Sequence, residues 1–174
     1  ESLIVYDWIK TKFKVLDSNI FVCGRSLGTS PAIYLSAHRN PKALFLISAF
    51  TSIKDIGSDK YLSFFVEEIF KSIDYIKNVK CSVLFIHGLK DPLIPYHHSE
   101  ELYEMVKKYN NNYIEKKIIN EMTHNEFDLK LDIIEPIFQF IEKIKDKDKG
   151  ENDNNEEEII EDDDLYQMPL EIKK

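Results

Sequence analysis

The sequence predicts an α/β fold, a parallel sheet with helices on both faces, and three observations carry that reading. Short apolar runs alternate with stretches of helical period along most of the chain. The run Ala43 to Ala49 is apolar at nearly every position, as expected of a strand covered on both faces. Two strand candidates stop at a glycine, Gly24 and Gly88, where the chain can turn sharply.

Leu3, Ile4, Trp8 and Ile9 share one face at helical spacing, so a helix opens the chain. Ile20 to Cys23 is β-rich and reads as the first strand, with Cys23 a small core residue. Leu27 to His38 follows as a helix, with Pro31 in its first turn, where a missing N–H costs little. Ala43 to Ala49 is the second strand, and Tyr61 to Ser72 is aromatic with helical period. Ser82 to His87 is the third strand. Ser99 is expected to cap a helix over Glu100 to Tyr109, with acids in its first turn and the Asn110 to Asn112 run beyond its end. Tyr113 to Ile119 reads as the fourth strand, and Glu126 to Lys145 as an amphipathic helix kinked at Pro136.

Composition narrows the function classes. The 174 residues include 31 acidic and 23 basic ones, a net charge of -8, and 43% hydrophobic residues, enough for one packed core. Residues 146 to 174 hold 12 acidic residues against 4 lysines. The body is therefore neutral, which argues against a nucleic-acid surface. We expect one globular domain over residues 1 to 145 and an acidic disordered tail over 146 to 174, too polar to offset its ordering entropy. A partner-binding role for Leu165 to Ile172 rests on only a few apolar residues. No run approaches the roughly 18 apolar residues of a membrane span, and no signal peptide opens the chain. Two cysteines, Cys23 and Cys81, make no disulfide framework and no structural zinc site, and a cytoplasmic setting is expected. The chain begins at Glu1, and the motifs below lead us to expect a truncated start.

Gly24-Arg25-Ser26-Leu27-Gly28 fits the Gly-x-Ser-x-Gly pattern of a nucleophile elbow. Its place, after a buried strand and before a helix, would lift the Ser26 hydroxyl above the sheet edge, and the glycines at 24 and 28 permit a strained turn. A serine hydroxyl needs an imidazole to take its proton and a carboxylate to orient that imidazole. Asp91 follows the third strand and His124 the fourth, so all three candidates stand at carboxyl ends of strands, where open parallel sheets place their ligand sites.

Each residue has a plainer role as well. Ser26 would cap a helix, Asp91 would form a turn with Pro92, and His124 would cap a helix at Asn125. Asp74 is a rival acid that better fits the surface. His97 and His98, being adjacent, are expected to point apart, and no acid or cysteine at ligand spacing completes a metal site with them. His87 is expected to shape the turn after its strand. Tyr61, Phe64, Phe65 and Phe70 would face the core or line an acyl-chain pocket.

The elbow, Ile47 to Ile53, the run His87 to Pro95 and Thr123-His124-Asn125 together resemble an α/β-hydrolase over residues 1 to about 145. The most similar subgroup is that of small intracellular α/β-hydrolase-domain proteins, which includes membrane-associated protein depalmitoylases, with serine-aminopeptidase-like hydrolases as near relatives. The resemblance implies Ser26 as nucleophile, His124 as base, Asp91 as orienter and the Leu27 backbone N–H as one oxyanion donor. It implies an acyl ester or thioester substrate, no metal or organic cofactor, and peripheral membrane association through a segment before this one. The family draws a second oxyanion donor from strands ahead of the elbow, and nothing before residue 19 supplies it. We therefore expect the carboxyl-terminal half of an α/β-hydrolase fold, inactive as this fragment alone. Serine-aminopeptidase-like hydrolysis and a truncated noncatalytic interaction protein are the alternatives.

Overall fold

The computed structural model describes residues 1–56 and 71–152. The chain forms α1 (Ser2–Phe13), β1 (Phe21–Arg25), α2 (Thr29–His38), β2 (Ala43–Ile47), α3 (Ile53–Ile56), α4 (Ser72–Ile76), β3 (Ser82–Gly88), α5 (His97–Tyr109), β4 (Ile114–Ile119) and α6 (Glu135–Asn152). The strands make one parallel sheet in the order β1-β2-β3-β4, so each βαβ step adds the next strand alongside the last. The predicted α/β fold with a parallel sheet is the one observed.

Why the apolar runs become strands is visible in their alternation. Leu44 and Leu46 of β2 and Val83 and Phe85 of β3 pack with Ala32, Ile33, Ile76, Leu102 and Val106, that is, against α2, α4 and α5. Ala43, Phe45, Ile47, Leu84 and Ile86 point the other way, onto Met122, Ile133, Phe140 and Ile144 of the α6 side. Both faces are covered, so every residue of β2 and every residue of β3 after Ser82 is buried and the alternation vanishes from the sequence. Burying each such side chain stabilises the fold by about 1.5–3 kcal/mol.

Several boundaries move. β1 starts one residue late and runs through Gly24 and Arg25, which pair with Leu46 and Ile47. Among the described residues it pairs with β2 alone, and Cys23, expected in the core, is exposed within them. Phe21 on the same strand is covered in part by stacking on Phe45, with ring centroids 5.8 Å apart. The helix predicted from Leu27 begins instead with a 3-10 turn, Ser26–Gly28, before α2. Half of α1's predicted stripe is exposed, Ile4 and Trp8, and Leu3 and Ile9 are only half-buried; Tyr6 is the buried residue, its hydroxyl donating to Asp17 Oδ1 at 2.6 Å.

α5 begins at His97, not Glu100, so Ser99 lies inside its first turn. No cap is made by Ser99; its hydroxyl is buried against His87 and the Ala49 carbonyl. The last predicted helix divides into a π-helical turn, Leu129–Ile134, and α6, which starts one residue before Pro136. Pro136 lacks an N–H, so it belongs in a first turn, and the wider turn ahead of it absorbs the misfit. Asp128 caps that turn, its Oδ1 accepting from the N–H groups of Lys130 and Leu131 at 2.9 Å each. Tyr61, Phe64, Phe65 and Phe70, like the acidic segment from residue 153 on, lie outside the described residues.

Candidate active site

Three strand ends build the site. At the end of β1 the backbone turns left-handed at Ser26, φ 51°, and drops into the 3-10 turn that leads to α2. Close approach of α2 makes this turn possible: a Cβ on Gly24 would lie 2.5 Å from the Gly28 carbonyl oxygen and 2.8 Å from Ala32 Cβ. Gly24 is thus required sterically. Gly28 is not, since a Cβ there would meet nothing within 4 Å. The Thr29 hydroxyl donates to the Ser26 carbonyl at 2.6 Å and braces the turn. Ser26 does not act as a side-chain cap; its hydroxyl points elsewhere.

After β3 the chain turns at Gly88, and Asp91 divides its two oxygens between two tasks. Oδ1 accepts the N–H groups of Leu93 at 2.9 Å and Ile94 at 2.8 Å. This is the turn expected for Asp-Pro. Oδ2 accepts His124 Nδ1–H at 2.8 Å. Burial by itself would raise the Asp91 pKa, but the bonds from Ile94 N–H, His124 and Leu93 N–H outweigh it and hold the carboxyl below its ordinary value. The group is therefore an anion, and its bond to Nδ1–H selects the tautomer in which Nε2 accepts.

His124 sits in the loop after β4, largely buried, with Nε2 3.0 Å from Ser26 Oγ. The structure thus brings Ser26, His124 and Asp91 into one hydrogen-bonded chain, from strands at both edges and the middle of the sheet. Leu27 follows Ser26 in the 3-10 turn. Asp74, the rival acid, lies on α4 and is exposed. Beside His124 a hollow of about 360 Å³ is lined by Pro92, Leu93, Thr123, Asn125 and Glu126. Chemically, such a chain can take a proton from the hydroxyl as it attacks an acyl carbon and return it to a leaving group.

Two supports hold this arrangement, and their contacts between segments distant in the chain were not legible in the sequence. Gly88 meets the loop ahead of His124 so closely that a Cβ on it would lie 2.6 Å from the Met122 carbonyl carbon. The Lys90 N–H donates to the Met122 carbonyl at 3.3 Å, and the Leu89 N–H to Ile119 at 2.9 Å, so the Asp91 and His124 loops are laced together. The second support is His87, fully buried at the end of β3. Its Nε2–H donates to the Ile94 carbonyl at 2.8 Å, and Nδ1 therefore accepts from the Ser99 hydroxyl at 2.6 Å. Nε2 also lies 3.6 Å from Asp91 Oδ2. His87 shapes the turn as expected, and burial pushes its pKa below the ordinary value, against the pull of Ile94 and Asp91.

His97 and His98 do not point apart. Their rings stack with centroids 4.4 Å apart, and buried His98 Nδ1 lies 2.9 Å from Thr51 Oγ1. Successive residues of a helix point about 100° apart rather than to opposite sides, so side-chain rotation at the first turn of α5 can still bring the two rings together. Among the described residues no group of three His, Cys, Asp or Glu side chains could hold a metal ion, and no helix is long and apolar enough to cross a membrane.

Comparisons with known proteins agree with the fold. Human alpha/beta hydrolase domain-containing protein 17B is 26% identical over 133 residues, covering 76% of this chain and 45% of the relative. Chicken lysophosphatidylserine lipase ABHD12 is 30% identical over 127 residues, 60% of this chain and 33% of the lipase. The chain spans less than half the length of both. Among solved structures, acetyl xylan esterase from Paenibacillus sp. R4 superposes with a TM-score of 0.63 at 17% identity, covering 82% of this chain and 50% of the esterase. Pyrococcus horikoshii acylaminoacyl peptidase gives a TM-score of 0.57 at 20% identity, over 70% of this chain and 22% of the peptidase. At those identities the likeness is one of fold. The phospholipase/carboxylesterase family matches residues 2–144, nearly the whole described chain, and this protein belongs to that family of α/β-hydrolases.

Proposed function

We propose that this chain carries the acyl-transfer centre of a serine hydrolase that cleaves esters or thioesters. The observation that carries the reading is the unbroken chain from Ser26 Oγ to His124 Nε2 at 3.0 Å and from His124 Nδ1 to Asp91 at 2.8 Å. In the first step Ser26 Oγ bonds to the acyl carbon while His124 Nε2 takes the hydroxyl proton. The leaving alcohol or thiol departs with that proton, and Ser26 is left as an acyl ester. Water then attacks the ester with His124 again as base, releasing the acid and restoring the hydroxyl. Asp91 stays ionised throughout and holds the imidazole in the tautomer the step needs. The Leu27 backbone N–H serves as one donor to the developing oxyanion, each such donor being worth about 2.7–4 kcal/mol. The hollow beside His124 is suited to the leaving group, which must be protonated there.

Membership of a family that hydrolyses acyl esters supports the general substrate class. Within it we favour fatty-acyl thioesters on proteins, at the cytoplasmic surface of a membrane, on the resemblance to the depalmitoylase subgroup. The cysteines Cys23 and Cys81 are both free thiols, in keeping with a reducing compartment.

A fluorophosphonate probe tests the centre, because it reacts only at a serine activated by a base. The full-length protein labels at Ser26. Ser26→Ala abolishes labelling, and His124→Ala slows it by several orders of magnitude, since the two act as a unit. Labelling at another serine, or unchanged labelling in His124→Ala, overturns the assignment. Parallel assays with a long-chain acyl thioester and an aminoacyl amide then decide the substrate class; faster turnover of the amide rejects the thioesterase reading.

A further inference from the structure

Ser26 and His124 come from opposite edges of the described sheet, from β1 and β4, with β2 and β3 between them. Three strand spacings of roughly 4.8 Å separate those edges, so any change of sheet twist alters the reach of the imidazole to the hydroxyl. One side chain crosses the gap.

Arg25 is the last residue of β1 and the immediate neighbour of Ser26. Its Nη2 donates to the backbone carbonyl of His124 and, at 3.4 Å, faces Asn125 Oδ1. Its guanidinium carbon lies 5.3 Å from the centre of the Phe127 ring. Among the described residues these are the only hydrogen bonds between the elbow and the His124 loop apart from that of Ser26 itself. The contact joins residues 99 positions apart in the chain, so it ties two strand ends that nothing local holds together. A charged donor on a carbonyl is stronger than a neutral one, and the planar guanidinium can stack and donate at once.

We propose that Arg25 is a positioning residue which ties the His124 loop to the strand carrying Ser26 and so sets the distance between imidazole and hydroxyl. The kinetic part of this inference rests on the serine hydrolase reading above; the mechanical part does not. Asp91 fixes the far side of the ring, the Gly88 contact fixes the start of the loop, and Arg25 fixes the carbonyl on the near side. The imidazole is then held from three directions.

The test uses the full-length protein with Arg25→Met, which keeps an apolar stem over Phe127 but removes the donor, and Arg25→Lys, which restores one. Amide hydrogen exchange over residues 120–128 reads the tie directly: it speeds up in Arg25→Met and returns toward wild type in Arg25→Lys, with exchange elsewhere unchanged. Hydrolysis of a 4-nitrophenyl ester reads the consequence. A misplacement of about 1 Å costs up to roughly 100-fold, so Arg25→Met lowers kcat by about 10- to 100-fold with KM within about two-fold, and Arg25→Lys recovers most of the loss. Wild-type exchange in Arg25→Met, a loss confined to KM, or no recovery in a folded Arg25→Lys overturns the proposal. Full turnover in Ser26→Ala overturns the hydrolase reading instead, and the exchange result still decides the tie.

Discussion

Gly88 and Met122 meet backbone to backbone: a Cβ on Gly88 would lie 2.6 Å from the Met122 carbonyl carbon and 2.9 Å from its Cγ. The contact joins the turn that carries Asp91 to the loop that carries His124, and neither side can give way without moving one of them. Gly88→Ala is therefore expected to destabilise the fold by about 1–3 kcal/mol. It should also lower kcat, because the Asp91 to His124 bond opens. Urea unfolding and ester hydrolysis of the same variant measure both effects; a stable, fully active Gly88→Ala excludes this lacing.

The divided duty of Asp91 separates its structural from its chemical role. Asp91→Asn keeps an oxygen for the Leu93 and Ile94 N–H groups but offers His124 an amide in place of an anion. The expected outcome is a fall in kcat of about 10³–10⁴-fold with a modest loss of stability. Asp91→Ala, which opens the turn as well, should lose markedly more stability. Equal melting temperatures for the two variants would show that the turn bonds contribute nothing.

Stability should fall with acid in two stages. His87 has a folded pKa below its ordinary value near 6.5, so the unfolded chain binds the extra proton first, and stability is lost as pH drops below about 6.5. The Asp91 carboxyl is also held below its ordinary value near 3.8, so its contribution is complete above that pH and is lost as pH falls through the lower folded value. Urea midpoints measured from pH 7 to pH 5 should decline, and His87→Gln should flatten that decline while lowering stability throughout. A midpoint that rises on acidification reverses the sign argued here.

The two elbow glycines should behave differently. Gly24→Ala drives a methyl group into the Gly28 carbonyl and Ala32, with an expected cost of about 1–3 kcal/mol. Gly28 has φ near -67° and open space at its Cβ position, so Gly28→Ala should be neutral or stabilising by up to about 1 kcal/mol. Differential thermal unfolding of the pair decides it, and equal losses would refute the distinction.

The sequence exposes what local pattern controls. Ala43 to Ile47 and Ser82 to Gly88 are strands because apolar residues fall on both faces, and that run needs no partner to be read. Of the three candidate site residues only Asp91 follows such a strand; Ser26 and His124 follow β1 and β4, whose residues are mostly half-buried or exposed, and Ser26 is marked in the sequence by its Gly-x-Ser-x-Gly pattern instead. What was hidden depends on contacts distant in sequence. Ser99 resembled a cap because serine favours caps, but His87, twelve residues earlier, claims its hydroxyl. The approach of Gly88 to Met122 spans two strands and leaves no trace beyond a glycine.

Ser26 holds a backbone angle of φ 51° that a glycine would adopt without penalty and other residues adopt at about 1–2 kcal/mol. The exchange that deletes the hydroxyl most completely, Ser26→Gly, would therefore also relax the turn, and the disabled chain would be the sturdier one. Stability and reactivity pull in opposite directions at this single position. A dead variant intended to trap a bound acyl substrate should for that reason be Ser26→Ala, which keeps the tension in the elbow and leaves the surroundings as the living site has them.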